Sequence, residues 1–256
     1  MSPTPAPNLA PIAPSLLSLA ATLDPQQPPL KGYLAAVDAL VQWQLSTPSA
    51  GLHAVDSATL MAGLKGFTQG YLNHYRHSPP DAAMCKVLDA AYAIIVAQCL
   101  LPASVAVHQD CSPEQLQLSA TTPLQFALAL PDHAALGPVS FDIASLTRDP
   151  RLLWEEPFVL DVTIRYWDQA RKAGLPVGDD FGEFYRAVEW AALQRHMRLA
   201  GVWGETASDK RDTTGPALLA GIRATCNRYI ELKPLLRLIE RVEGVEASGG
   251  FAFGRV

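Results

Sequence analysis

Residues 137–150 read GPVSFDIASLTRDP, and the texture of the chain changes on either side of them. Upstream, from Pro102 to the LPDHAALGP run at 130–138, short apolar stretches alternate with turn residues. Downstream, from about residue 139, the apolar positions recur with helical period. Asp142 stands near the start of that first downstream helix. A carboxylate there can accept backbone N–H groups, so Asp142 is read as a structural residue.

Outward from this junction the chain is mainly helical. The spacing predicts further helices over 156–173, ending on Gly174, then over 180–200, 214–228 and 232–242. On the N-terminal side, Leu34, Val37, Leu40 and Val41 line one helix face, and Leu60, Leu64, Phe67 and Tyr71 line the next after an Asp56/Ser57 cap. A third helix opens on Pro80-Asp81 and stripes Leu88, Tyr92, Ile95 and Cys99. Between 102 and 138 lies a β-rich island: SVAVH reads as a strand, and LQL and PLQFALAL as two more, the last with strand length over 124–130. The domain reading is a proline-rich flexible segment over 1–31, a domain over 32–243 and a loose tail over 244–256.

Composition limits the function classes. Hydrophobic residues make up 49% and charged residues 18%, which suits a compact globular chain of 256 residues. The net charge of −5 and the lack of a basic block argue against nucleic acid as a partner. No apolar run approaches a membrane span; the longest, AAYAIIVAQCLL, carries Gln98, so no membrane partner is expected. No charged secretory start is present, and the four cysteines, at 85, 99, 111 and 226, form no CxxC pair. Reduced thiols and a cytoplasmic location follow as expectations.

One stretch of the island carries candidate chemistry. Residues 108–118, HQDCSPEQLQL, hold an HxD at His108 and Asp110. Alone it is compatible with a working phosphoryl-transfer loop, a worn copy of one, or an HxD in a surface turn. Later in the chain Gln194-Arg195-His196 cluster on a helix, where bracing of the core outweighs substrate contact. Trp154, Trp167, Trp190 and Trp203 read as core or groove packing.

The chain resembles the C-terminal lobe of the protein-kinase-like fold, specifically the aminoglycoside phosphotransferase family and its bacterial amino-sugar kinase branch. GPVSFDIASLTRDP at 137–150 is close to that family's GPVSYDLASLLRD. AALQRHMRLAGVWGE at 191–205, YIELKPLLRLIE at 229–240 and LDAAYAIIVAQCL at 88–100 match its helices in order and spacing. The resemblance implies a fold that is mainly α with a small β-hairpin region. It also implies ATP and magnesium as cofactors of an active enzyme that phosphorylates a sugar hydroxyl.

By the same resemblance Asp110 occupies the base position and His108 the loop-supporting position, in VHQD where the family has VHRD. Gln115 replaces the metal-binding Asn. Counting back from Gly137 puts Leu130 at the magnesium-binding Asp, with His133 at a second acidic position and Asp132 nearby; Gln115 and Asp132 are the metal-side candidates. No glycine-rich nucleotide loop or strand lysine precedes residue 108, and the GGFAFG run at 249–254 follows the last helix. The reading is therefore a lobe lacking its nucleotide-binding N-lobe: a pseudokinase-like binding or regulatory scaffold, with no cofactor expected for the isolated chain. The alternative is an ATP-dependent amino-sugar or aminoglycoside kinase completed by a separate N-lobe-like chain. A protein partner or a second copy over the exposed lobe seam, and a sugar-type small molecule, are the expected partners.

Overall fold

The computed structural model describes residues 14–21, 29–118, 125–152, 154–207 and 213–245. Most of the 1–31 segment, the TTP turn at 121–123 and the 246–256 tail with its GGFAFG run lie outside the described residues. Within the segment expected to be flexible, α1 (Leu16–Ala21) is helical and docked. Its Leu16 is fully buried, and Leu16 and Leu17 donate N–H bonds to the carbonyls of Leu116 and Pro113 at 3.0 and 2.9 Å. An apolar Leu on a short helix gains its burial only through such docking.

Four helical stretches precede the island. α2 spans Leu30–Ser46 and α3 spans Ser57–Gly66, running on into a π-helical stretch over Phe67–Tyr75; α4 spans Ala82–Cys99. The predicted caps form: Asp56 accepts the Thr59 N–H at 2.8 Å, and Asp81 accepts from Ala83 and Met84 at 2.9 and 2.8 Å. Each cap satisfies N–H groups the helix itself cannot. Contrary to the sequence expectation, α4 is long and apolar enough to cross a membrane by length and composition, with a mean hydropathy of 1.5 over 18 residues. Leu88, Ala91, Tyr92, Ile95, Val96 and Cys99 on its inner face pack into the core.

The island is smaller than its apolar runs suggested. β1 (Ser104–Val107) pairs antiparallel with β4 (Ala135–Pro138), Val107 facing Ala135. β2 (Gln117–Leu118) pairs antiparallel with β3 (Phe126–Ala127). The strand expected over 124–130 is thus two residues long among the described residues. Leu130 is 61% exposed, so it gains no burial that would extend the ladder.

α5 (Ser140–Thr147), α6 (Glu156–Lys172), α7 (Phe181–Thr206), α8 (Thr214–Arg228) and α9 (Lys233–Glu243) complete the fold. α7 is the central helix, with Trp190, Leu193, Met197 and Ala200 fully buried. It lies backbone to backbone on the α3–π stretch: a Cβ on Gly201 would stand 2.4 Å from the carbonyl carbon of Gly66. Glycine is required there by contact distance, and the contact fixes where α7 presents its side chains. The tryptophans serve packing: Trp190 tilts over Tyr229 at 4.9 Å, and Trp154 donates its Nε1–H to Tyr33 at 2.6 Å. All four cysteines are free thiols, and only Cys85 is exposed.

Candidate active site

The β1–β4 ladder carries the HxD loop out of its last residue, Val107, and sets it against the turn that ends at Ala134. Asp142, in the first turn of α5, holds that loop from beneath. Its Oδ2 accepts the His108 N–H at 2.8 Å and its Oδ1 accepts the Gln109 N–H at 3.1 Å. Gln109 adopts φ +66°, a left-handed conformation unusual for a residue with a side chain. The strain is held from both sides, since the Gln109 amide also donates to the His133 carbonyl. Burial pushes the Asp142 carboxyl up to about 7, against the two N–H bonds, which pull it down.

The loop aims Asp110 outward. Its side chain is 40% exposed, and Oδ1 accepts a hydrogen bond from Arg195 Nη2 at 2.7 Å. Arg195 itself is only 8% exposed, and its Nε and Nη1 find no hydrogen-bond partner among the described residues. Ala191, Gln194, Arg195, Arg198 and Leu199 share the face of α7 that lines a cavity of about 350 Å³ with Asp110, Gln109 and His133. A second cavity, of about 320 Å³, opens on the other side of Asp110, Arg195 and Leu199, toward Glu114 and Arg151. Each is large enough for a sugar-sized ligand.

The sequence candidates separate in space. His108 is buried, its ring 5.6 Å from that of Trp43 and edge-on to His133 at 6.0 Å. Burial, and then His133, lower its pKa, so a neutral imidazole packs beneath the loop. Gln115 lies in an exposed turn, its N–H donating to Ser112 at 3.0 Å, and Asp132 is exposed on the turn at 131–134. Neither lines the cavity with Asp110. Among the described residues no three His, Cys, Asp or Glu side chains converge to hold a metal ion. The magnesium pair of a kinase does not fit these described residues.

The Gln194-Arg195-His196 cluster divides between two jobs. Gln194 and Arg195 face the cavity, whereas His196 turns away and bonds the Arg148 carbonyl through Nε2 at 2.7 Å. A carbonyl can only accept, so Nε2 carries the hydrogen; burial pushes the ring's pKa down to about 4 and keeps it neutral. Behind it Arg148 forks onto Glu156 at 2.9 and 3.2 Å, and Glu156 also binds Tyr185 and Arg228. Nearer the loop, Arg151 grips buried Asp149 through Nε and Nη2 at 2.9 and 2.8 Å and reaches Glu114 at 2.5 Å. These pairs tie the end of α5 to the residues following Asp110. Arg198 was missed by the sequence reading; its signal was the i+3 spacing from Arg195 on one helix face.

With this geometry in hand, comparison with solved structures gives the fold class. The chain matches aminoglycoside 2′-phosphotransferase-IIIa, solved as its GDP complex, with a TM-score of 0.50 at 15% identity over 84% of this chain and 67% of that one. The fold is thus that of a kinase-like phosphotransferase. Among curated proteins, an N-acetylmuramate/N-acetylglucosamine kinase of Neisseria meningitidis serogroup B is 34% identical over 227 residues, covering 86% of this chain and 66% of that protein. The kinase of the same name from Pseudomonas aeruginosa is 32% identical over 170 residues, covering 66% of this chain and 49% of its own length. The chain belongs to the aminoglycoside phosphotransferase family, beside its amino-sugar kinases. It spans from about half to about two thirds of the length of these two relatives. No family model matches it.

Proposed function

We propose that this chain is the acceptor-binding lobe of an amino-sugar phosphotransferase, with Asp110 as the group that takes the acceptor hydroxyl's proton. The observation that carries the reading is the placing of Asp110. One carboxylate oxygen is pinned by Arg195, while Oδ2 has no hydrogen-bond partner among the described residues, at the mouth of a cavity of about 350 Å³. A carboxylate held at one oxygen has its other free to orient a hydroxyl and accept its proton as the nucleophile attacks. The amino-sugar kinases related to this chain supply the substrate class.

On this reading the nucleotide and its metal are held by a separate N-lobe or partner chain that docks on this lobe. Three buried thiols without a disulfide suit a reducing, cytoplasmic setting. A second reading, a sugar-binding scaffold without transfer, is favoured by Gln115 and Leu130, both exposed and neither acidic, at the positions where the resemblance expects metal ligands.

The test is saturation-transfer NMR of the full chain with N-acetylglucosamine and N-acetylmuramate, followed by detection of sugar phosphate with ATP and magnesium. Sugar binding with phosphate transfer in the presence of a nucleotide-bearing partner supports the first reading. Asp110→Asn should then lower transfer by about 10²–10⁴-fold, the usual contribution of a positioned base. Sugar binding without product under every pairing supports the scaffold. Absence of sugar binding at millimolar concentration overturns both.

A further inference from the structure

The cavity beside Asp110 holds more positive charge than the acid within it balances. Arg195 and Arg198 stand one turn apart on the same face of α7, and both line the cavity. Guanidinium groups stay protonated, so this wall carries two cations. Asp110 answers them through a single bond to Arg195 Nη2; buried Asp149 also lies within electrostatic reach of Arg195, but both its oxygens are taken by Arg151. Arg195 is only 8% exposed, yet its Nε and Nη1 are left without a partner. Arg198 has neither an ion pair nor a hydrogen bond among the described residues. Its stem lies over Gly63, where a Cβ would stand 3.2 Å from Cδ of Arg198, so the glycine makes room for it.

Unpaired buried donors are costly, and where a native fold keeps them at a cavity wall a bound ion, a ligand or water completes them. The remaining cavity lining does not do so. Gln194 directs its Nε2 to the Leu60 carbonyl at 3.5 Å, and Asp142 is turned under the loop onto the His108 and Gln109 N–H groups. Two planar forks one helical turn apart suit an oxyanion, which can take charge-assisted bonds from both at once.

Resting on the reading of the site as an amino-sugar site, we infer that Arg195 and Arg198 form an oxyanion subsite that selects acceptors carrying an acidic group. Its ligand is a carboxylate attached to an N-acetylated amino sugar, or a phosphate oxyanion with the same chemistry. The subsite therefore sets acceptor specificity, while Asp110 addresses the hydroxyl.

The experiment is isothermal titration of the full chain, and of Arg198→Met and Arg198→Lys, with three probes: N-acetylmuramate, N-acetylglucosamine and inorganic phosphate. The two sugars differ by the lactyl carboxylate, so their affinity ratio reads the subsite and cancels the shared ring contacts. The wild-type ratio should favour the acidic sugar by about tenfold to a hundredfold, the range of charge-assisted bonds. Arg198→Met should bring the ratio toward one, and Arg198→Lys should restore part of it. Loss of phosphate binding in Arg198→Met, with a sugar ratio near one throughout, supports the subsite and assigns it to phosphate. Binding of phosphate with neither sugar keeps the subsite and removes the amino-sugar reading. Sugar binding with a ratio and a phosphate affinity that Arg198→Met leaves unchanged overturns the subsite and keeps the amino-sugar reading.

Discussion

Asp142 grips the backbone of His108 at 2.8 Å across 34 residues of sequence, and it does so with a fully buried carboxyl group. The contact joins the first turn of α5 to the loop that aims Asp110, so the aim of that side chain depends on a group buried beneath it. Burial is costly to its charged form, which is why its pKa rises from the ordinary 3.8 to about 7.

A pH dependence follows from that shift. Between 3.8 and about 7 the folded chain binds more protons at Asp142 than the unfolded chain does. Its contribution to stability is therefore fully present below the lower value and is lost as pH rises through the upper one. The whole effect is on the order of 4 kcal/mol. Other groups act in the opposite sense: His196, held near 4, and Glu156, held near 2, both favour the fold as pH rises from acid. The comparison with Asp142→Asn isolates the one contribution. Urea unfolding at pH 5, 6, 7 and 8 should show the variant's stability gaining on the wild type with each step, and parallel curves would sink the argument.

The contact of α7 with the α3–π stretch makes a paired prediction. Gly201→Ala would force a Cβ to 2.4 Å from the Gly66 backbone, which cannot rotate away, so a loss of about 1–3 kcal/mol is expected. Gly66→Ala places its Cβ where nothing lies within 4 Å, in a helical conformation with φ −55°. It should stabilise by about 0.5–1 kcal/mol, by restricting the unfolded chain. Thermal unfolding of both variants checks the signs, and a Gly201→Ala variant as stable as the wild type would disprove the close approach.

Local chemistry made much of the fold legible. Asp56 and Asp81 cap helices because their side chains reach free N–H groups within three residues, a relationship visible in sequence. The stripes on α2, α3 and α4 followed from helical period, and the junction at 137–150 gave the family and with it Asp110 and Asp142. The β island misled, because apolar runs such as PLQFALAL signal burial without saying what buries them; Leu130 is largely exposed. α1 was missed because its docking depends on carbonyls about a hundred residues away, at Pro113 and Leu116. The partner of Asp110 was hidden for the same reason. Arg195 stands 85 residues downstream, and only the fold decides which member of a Gln-Arg-His run faces the cavity.

That pairing also predicts an asymmetry between two substitutions. Arg195 is buried with two nitrogens unpartnered, so the folded chain carries its desolvation with incomplete compensation. Arg195→Met removes the buried charge, fills a similar volume and releases Asp110, whose side chain is already 40% exposed to water. Because the carboxylate left behind is already in water, no buried charge is stranded, and stability should stay level or rise by up to about 2 kcal/mol. Asp110→Ala does the reverse, leaving the buried guanidinium without the acid it is hydrogen-bonded to, and should cost about 1–3 kcal/mol. Both variants should lose ligand binding, so stability and function separate in one and fall together in the other. Denaturant titrations of the two single variants and the double variant complete the cycle. If Arg195→Met destabilised the chain as much as Asp110→Ala, Arg195 would be a brace of the core rather than a group kept for the ligand.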